Sequence, residues 1–265
     1  FTEPSPVHDL KIKYIDTTSV ILTWLVNNTA SNSYRIEFGN STFMKNLATN
    51  GTEVEITGLI PGTMYNFTIF AEVNGNETEG VAFSLYTKPS PVLHLEAEYV
   101  GETSVNLTWN TNDTASNSYT YRIEVVNDSS IRNLTSTVTK AEITELVPGT
   151  MYNFTVFAVA ADNETEGEGR SKDLYTKPSP VLHLEAEYVG ETSVNLTWDT
   201  NDTASNSYTY RIEFVNDSFI KNLTSTVTKA EIRELFPGTM YNFTVFAVAA
   251  DNETEGEGKS KDLYT

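Results

Sequence analysis

The residues in this chain whose type and spacing could support chemistry are its asparagines. Asn-x-Ser/Thr, the acceptor pattern for N-glycosylation, occurs at Asn27, Asn40, Asn50, Asn66, Asn76, Asn106, Asn112, Asn127, Asn133, Asn153, Asn163, Asn195, Asn201, Asn216, Asn222, Asn242 and Asn252. That is 17 of the 24 asparagines, an excess over chance that internal duplication inflates but does not create. A glycan needs a solvent-facing amide. Asn106 sits between Val105 and Leu107, and Asn153 between Tyr152 and Phe154, so alternation along a strand turns both outward. Asn112 and Asn163 fall in turn-rich segments, and every acceptor is expected to be exposed. N-linked glycans are therefore the first expected partners, which implies passage through a secretory pathway and an extracellular face.

The other reactive residue types do not form a site. His8, His94 and His183 are the only histidines, about one per repeat, and there is no cysteine to complete a zinc tetrad. No Gly-x-Ser-x-Gly, His-Glu-x-x-His or phosphate-binding loop occurs. The acidic run from Asp162 to Glu168, repeated from Asp251 to Glu257, lacks the ligand spacing of a calcium loop and reads as a solvated turn. No catalytic, metal or cofactor residue is expected, and the segment is read as non-enzymatic. The formal charge of −19 opposes nucleic-acid binding and gives anionic lipid no basic patch. No apolar run of about 18 residues is present, so direct membrane contact is not expected of this segment.

The elements that position the asparagines follow from an internal repeat. Trp109 and Trp198 stand 89 residues apart, and the segments from Pro91 and from Pro180 are near copies. They differ at Asn110/Asp199, Val125/Phe214, Ser130/Phe219, Arg132/Lys221, Thr144/Arg233, Val147/Phe236 and Arg170/Lys259. A more divergent copy precedes them, with Trp24 standing 85 residues before Trp109. It is shorter by two residues before Tyr34 and by two between Gly80 and Tyr86. It also carries Ile21 where Asn106 stands, which is expected to leave a bare apolar spot, and Asn46-Leu47-Ala48 interrupts the pattern aligned with Asn133. Phe1 to Pro4 matches Tyr86 to Pro89, so residues 1–4 read as the tail of a preceding repeat and the chain as a window on a longer array. Repeats are expected at 5–88, 89–177 and 178–265.

Within the second repeat, period-two alternation marks short strands. Leu93, Leu95, Ala97 and Tyr99 share one face of the first. Val105, Leu107 and Trp109 share one face of the second, and Tyr121, Ile123 and Val125 one face of the third. Gly, Pro, Asn and Asp separate the runs. Seven short strands without helical periodicity indicate an all-β, antiparallel sandwich. The junction Tyr-Thr-Lys-Pro-Ser-Pro-Val contains two prolines and no Gly-Ser stretch, so an extended and semi-rigid array is expected. On the outward face of the first strand, Asp9, Lys11 and Lys13 in repeat one contrast with His94, Glu96, Glu98 and His183, Glu185, Glu187, a charge asymmetry that neighbouring chains could use.

Two motifs carry a family resemblance across the whole chain. Thr-Ser-Val-x-Leu-x-Trp occurs at Thr18 to Trp24, Thr103 to Trp109 and Thr192 to Trp198. Leu-x-Pro-Gly-Thr-x-Tyr-x-Phe-x-Val occurs at Leu59 to Ile69 (with Ile at its end), Leu146 to Val156 and Leu235 to Val245. The chain resembles a tandem array of three fibronectin type III, immunoglobulin-like β-sandwiches of seven strands each. That resemblance implies core roles for Trp24, Trp109 and Trp198, and a loop-pinning corner at Tyr65, Tyr152 and Tyr241. The sequon-rich repeats are similar to the ectodomains of receptor-type tyrosine phosphatases with long fibronectin arrays. This implies a spacer with an adhesive, ligand-binding or self-associating surface, facing an extracellular protein partner. A structural repeat of a secreted matrix, mucus or filament glycoprotein is the alternative, and an accessory module of a secreted enzyme is a third.

Overall fold

The computed structural model describes residues 5–27, 33–111, 119–200 and 208–265. The first repeat contains β1 (His8–Ile15), β2 (Ser19–Leu25), β3 (Ser33–Gly39), β4 (Met44–Thr49), β5 (Glu53–Thr57), β6 (Met64–Val73), β7 (Asn76–Glu77) and β8 (Val81–Tyr86). The second contains β9 (Leu93–Val100), β10 (Val105–Asn110), β11 (Thr120–Asn127), β12 (Ser130–Ser136), β13 (Lys140–Ile143), β14 (Met151–Val159) and β15 (Arg170–Tyr175). The third contains β16 (Leu182–Gly190), β17 (Ser193–Asp199), β18 (Thr209–Val215), β19 (Ile220–Ser225), β20 (Lys229–Ile232), β21 (Met240–Val248) and β22 (Lys259–Tyr264). The fold is all-β: among the described residues repeats two and three have seven strands, and the two-residue β7 of repeat one is matched there by single bridges, Val159 with Glu166 and Val248 with Glu255.

Each repeat is two antiparallel sheets. In repeat two, β13-β10-β9 faces β12-β11-β14-β15, and repeats one and three follow the same order. Strands are short and rich in Val, Ile, Tyr, Phe and Thr, residues that fit a pleated, half-buried surface. One face of each sheet is apolar, so the two faces bury each other. In repeat two, Val105, Leu107 and Trp109 from β10 meet Tyr121, Ile123 and Val125 from β11 and Tyr152, Phe154 and Val156 from β14. Each such side chain contributes about 1.5–3 kcal/mol on burial. Trp109 packs edge-on against Tyr121 with ring centroids 5.3 Å apart, and Trp24–Tyr34 and Trp198–Tyr210 repeat the arrangement. The buried residues form three separate clusters, one per repeat.

Strict alternation fails on the first strand of each repeat. Asp9, His94 and His183 have φ of 51°, 49° and 46°, in the left-handed region, and the pairing register shifts there. A second shift in β9 places Tyr99 opposite Asn106 and Ala97 opposite Leu107. An extra residue in one strand of a pair re-aims the side chains beyond it. Tyr99, expected to share a face with Leu95, is thereby turned out and is 54% exposed. Val100 packs against the core instead.

The shortening of repeat one also lies elsewhere than the sequence pattern suggested. A Cβ on Gly80 would meet the Phe70 ring at 2.6 Å, just as one on Gly169 would meet the Phe157 ring at 2.5 Å. Val81 pairs with Ile69 as Arg170 pairs with Val156. Gly80 therefore corresponds to Gly169 rather than Gly167, and the two missing residues belong to the turn before it.

Candidate glycan-bearing surface

Among the described residues, no acceptor asparagine is buried. Asn27, Asn50, Asn66, Asn76, Asn106, Asn133, Asn163, Asn195, Asn222 and Asn252 are exposed, while Asn40, Asn127, Asn153, Asn216 and Asn242 are half-buried. Asn112 and Asn201 lie outside the described residues. The positions follow from the strand pattern. Asn106 and Asn195 lie on the outer face of the second strands, Asn66, Asn153 and Asn242 on β6, β14 and β21, and Asn133 and Asn222 on the edge strands β12 and β19.

Local hydrogen bonds orient several of these amides. Asn127 Oδ1 accepts from the backbone N–H groups of Ser129 (3.0 Å) and Ser130 (2.8 Å), and Asn216 Oδ1 from those of Ser218 (2.8 Å) and Phe219 (3.0 Å). Asn40 does the same for Thr42 at 2.9 Å. Such turns use the carbonyl oxygen of the side chain, while a glycan attaches through the other atom, Nδ2. Turn formation and glycan attachment are thus compatible on one residue. Asn163 and Asn252 adopt φ of 60° and 62°, a conformation asparagine tolerates better than most residues.

A charged cluster recurs on the outer face of the larger sheet. The Arg122 guanidinium lies 4.1 Å from the centroid of the Phe157 ring. Its Nε and Nη2 donate to Glu166 at 2.6 and 2.8 Å, and its Nη1 donates to Glu124 at 3.2 Å and to Asn133 Oδ1 at 3.0 Å. Repeat three uses Arg211, Phe246, Glu255, Glu213 and Asn222 in the same roles. Repeat one uses Arg35, Phe70, Glu77 and Glu37, with Asn46 at 3.5 Å. Hydrogen bonds from Arg122 hold the Glu166 carboxyl below its ordinary range against the opposing effect of partial burial, and the Arg122 pKa is raised in turn. Partial burial pushes the Asp162 carboxyl up, but hydrogen bonds from the Thr165 hydroxyl and from backbone N–H groups outweigh it and leave it lowered. The acidic loop is therefore tied to the sheet and not simply solvated. The sequence reading missed this cluster, although Arg-Ile-Glu at the start of each third strand was a signal for it.

The three corner tyrosines each accept a backbone N–H. Ile60 donates to Tyr65 at 2.9 Å, Val147 to Tyr152 at 3.0 Å and Phe236 to Tyr241 at 3.0 Å. Trp24, Trp109, Trp198, Tyr65, Tyr152 and Tyr241 are all buried. Ile21 is half-buried, not bare. Some of the first-strand side chains find partners within their own repeats: Lys11–Asp9 at 3.0 Å, Lys13–Glu53 at 2.6 Å and Lys172–Glu96 at 3.0 Å, while His183 Nδ1 lies 3.0 Å from Asp199 Oδ1. Among the described residues, no three His, Asp or Glu side chains are grouped to hold a metal ion.

The family model for the fibronectin type III domain matches residues 5–84, 89–175 and 178–261. A receptor-type tyrosine-protein phosphatase eta from Gallus gallus is 65% identical over 269 residues, covering 100% of this chain and 19% of the relative. The Homo sapiens receptor-type tyrosine-protein phosphatase eta is 31% identical over 272 residues, covering 100% of this chain and 20% of the relative. The chain thus spans about a fifth of the length of these curated relatives. A solved two-domain fibronectin type III segment from chicken tenascin covers 66% of this chain and 99% of its own, with 21% identity and a TM-score of 0.48. The matched ranges are fibronectin type III repeats, which are non-catalytic modules. With this family and these relatives, the segment is extracellular, at a cell surface or secreted.

Proposed function

Because the chain belongs to the fibronectin type III family, we propose that it serves as a glycan-coated spacer in the ectodomain of a cell-surface receptor of the receptor-type tyrosine phosphatase kind. The observation that carries this reading is the disposition of the acceptor asparagines: all those described reach solvent, on both sheets and in the turns. Glycans at these positions keep the array hydrated and apart from its neighbours. Those on β12 and β19 cover edge strands that would otherwise present unpaired backbone groups to another sheet. The surface they leave open faces an extracellular protein ligand or another copy of the array. The similarity to receptor-type phosphatases supports the receptor context, in which catalysis belongs to a part of the receptor other than these repeats. We place the repeat boundaries at 5–88, 89–177 and 178–265.

The test is site mapping. The chain is secreted from a eukaryotic cell, its glycans are released enzymatically, and the converted asparagines are identified by mass spectrometry. Occupancy across all three repeats is expected, including Asn106, Asn153, Asn195 and Asn242. Unmodified asparagine at every acceptor in secreted material would overturn the reading.

A further inference from the structure

The contacts at the two junctions carry an inference that does not depend on glycosylation. Tyr119 immediately precedes β11 in repeat two, and Tyr208 immediately precedes β18 in repeat three; both are buried. Each ring lies against the preceding repeat, on the glycine of its Pro-Gly-Thr turn. A Cβ on Gly62 would stand 2.3 Å from Tyr119 Cε1, and one on Gly149 would stand 2.2 Å from Tyr208 Cε1. Only a glycine admits the ring so closely. These glycines also hold φ of 57° and 58°, so the same residue satisfies the turn and the contact.

The linker is fastened on both sides of its prolines. Gly62 N–H donates to the Lys88 carbonyl and Gly149 N–H to that of Lys177, both at 3.0 Å. Downstream, Val92 N–H donates to Glu168 at 3.3 Å and Val181 N–H to Glu257 at 3.4 Å. Pro89 lies on Gly167, where an added Cβ would be 2.6 Å from its carbonyl oxygen, and Pro178 lies on Gly256 at 2.5 Å. Each junction thus has two close seats, one where a tyrosine meets a turn glycine and one where a linker proline meets a loop glycine.

We propose that these two seats form a keyed joint that fixes the orientation of consecutive repeats. The partner surface that fits a Pro-Gly-Thr pole is a repeat carrying both the tyrosine and the loop glycine. Repeats two and three qualify. Repeat one does not: Asn32 precedes Tyr34 by the two positions that separate Tyr119 from Tyr121, and Asn32 lies outside the described residues. Thr78 replaces the loop glycine, because its N–H donates to Ala71 as the Gly167 N–H donates to Ala158, both at 2.9 Å. The Pro-Gly-Thr turn of repeat three keeps the left-handed geometry, with φ of 68° at Gly238, and an added Cβ there meets nothing within 4 Å.

Gly238 supplies the control for the test. The chain has no cysteine, so paired spin labels at Glu55→Cys and Lys140→Cys report the first joint, and labels at Lys140→Cys and Lys229→Cys report the second. In the full chain, a narrow distance distribution is expected for each pair. Gly62→Ala should broaden the first pair's distribution about two-fold, towards the free inter-domain motion expected without a specific interface, and leave the second unchanged. Gly149→Ala should do the reverse. Gly238→Ala carries the same backbone strain and should alter neither. Tyr119→Ala should reproduce Gly62→Ala from the other side of the joint; because Tyr119 also belongs to the buried cluster of repeat two, hydrogen exchange of that repeat is read alongside, which separates loss of the contact from loss of the core. The proposal is overturned if the parent distributions are as broad as those of Tyr119→Ala, or if Gly62→Ala acts no differently from Gly238→Ala.

Discussion

Tyr152→Phe isolates one hydrogen bond in the repeat-two corner. The ring is 4% exposed and the substitution keeps it, so the change is confined to the hydroxyl that accepts the Val147 N–H at 3.0 Å. Leaving a buried donor without a partner costs about 1–3 kcal/mol. Val147 is 41% exposed, so water reaches part of this turn and the low end of that range applies, about 1–1.5 kcal/mol. A chain with three separate cores is not expected to unfold as one two-state unit, so the assay must resolve repeats. Hydrogen exchange read by mass spectrometry does so, because peptides of repeats two and three differ at Val125/Phe214 and Val147/Phe236. The slowest amides of β11 and β14, which open only with the core, should exchange about five- to tenfold faster. Those of repeats one and three should not change, since distant sites act independently. Unchanged exchange in β14, or equal acceleration in all three repeats, would refute the corner's role or the separateness of the cores.

Trp109→Ala removes a side chain that is 5% exposed and should cost about 3–5 kcal/mol. That is comparable with the total stability of about 5 kcal/mol at the lower end for a small domain. Repeat two should lose its protected amides while repeats one and three keep theirs, as amide-resolved NMR would show. The Glu166 carboxyl is lowered in the folded state by Arg122. The sign follows: its stabilisation is present above the unfolded value of about 4.3 and is lost as pH falls through the lower folded value. Glu166→Gln should lower the melting temperature at neutral pH and flatten its fall with acidification below about pH 4.3. An unchanged profile between neutral and acidic melts would show that the Arg122 pair is energetically silent.

How far the sequence reaches can be judged from particular residues. Period-two alternation is a local property, so it placed Val105, Leu107 and Trp109 on one face and Asn106 on the other without reference to any partner strand. Register between strands is not local. Two irregularities in β9 turned Tyr99 outward, and only its pairing with β10 shows them. The same distinction separates the acceptor asparagines from the cluster beside them. The pattern Asn-x-Ser/Thr is written in three consecutive residues. The Arg122 cluster joins Glu166, 44 positions away, to Phe157 and Asn133 on different strands.

The asparagines illustrate both halves of this division. Their number, spacing and strand parity are determined by sequence alone, as are the repeat, the sandwich and the aromatic motifs, because each is encoded by neighbours along the chain. Tertiary structure decided which loop carries the shortening in repeat one, how Arg122 ties down an acidic turn, and how Tyr119 reaches Gly62 across a junction. Those features depend on groups brought together by the folded backbone. Gly62 shows the physical reason most clearly: in sequence it is a turn glycine like Gly238, and only the ring placed against it distinguishes the two.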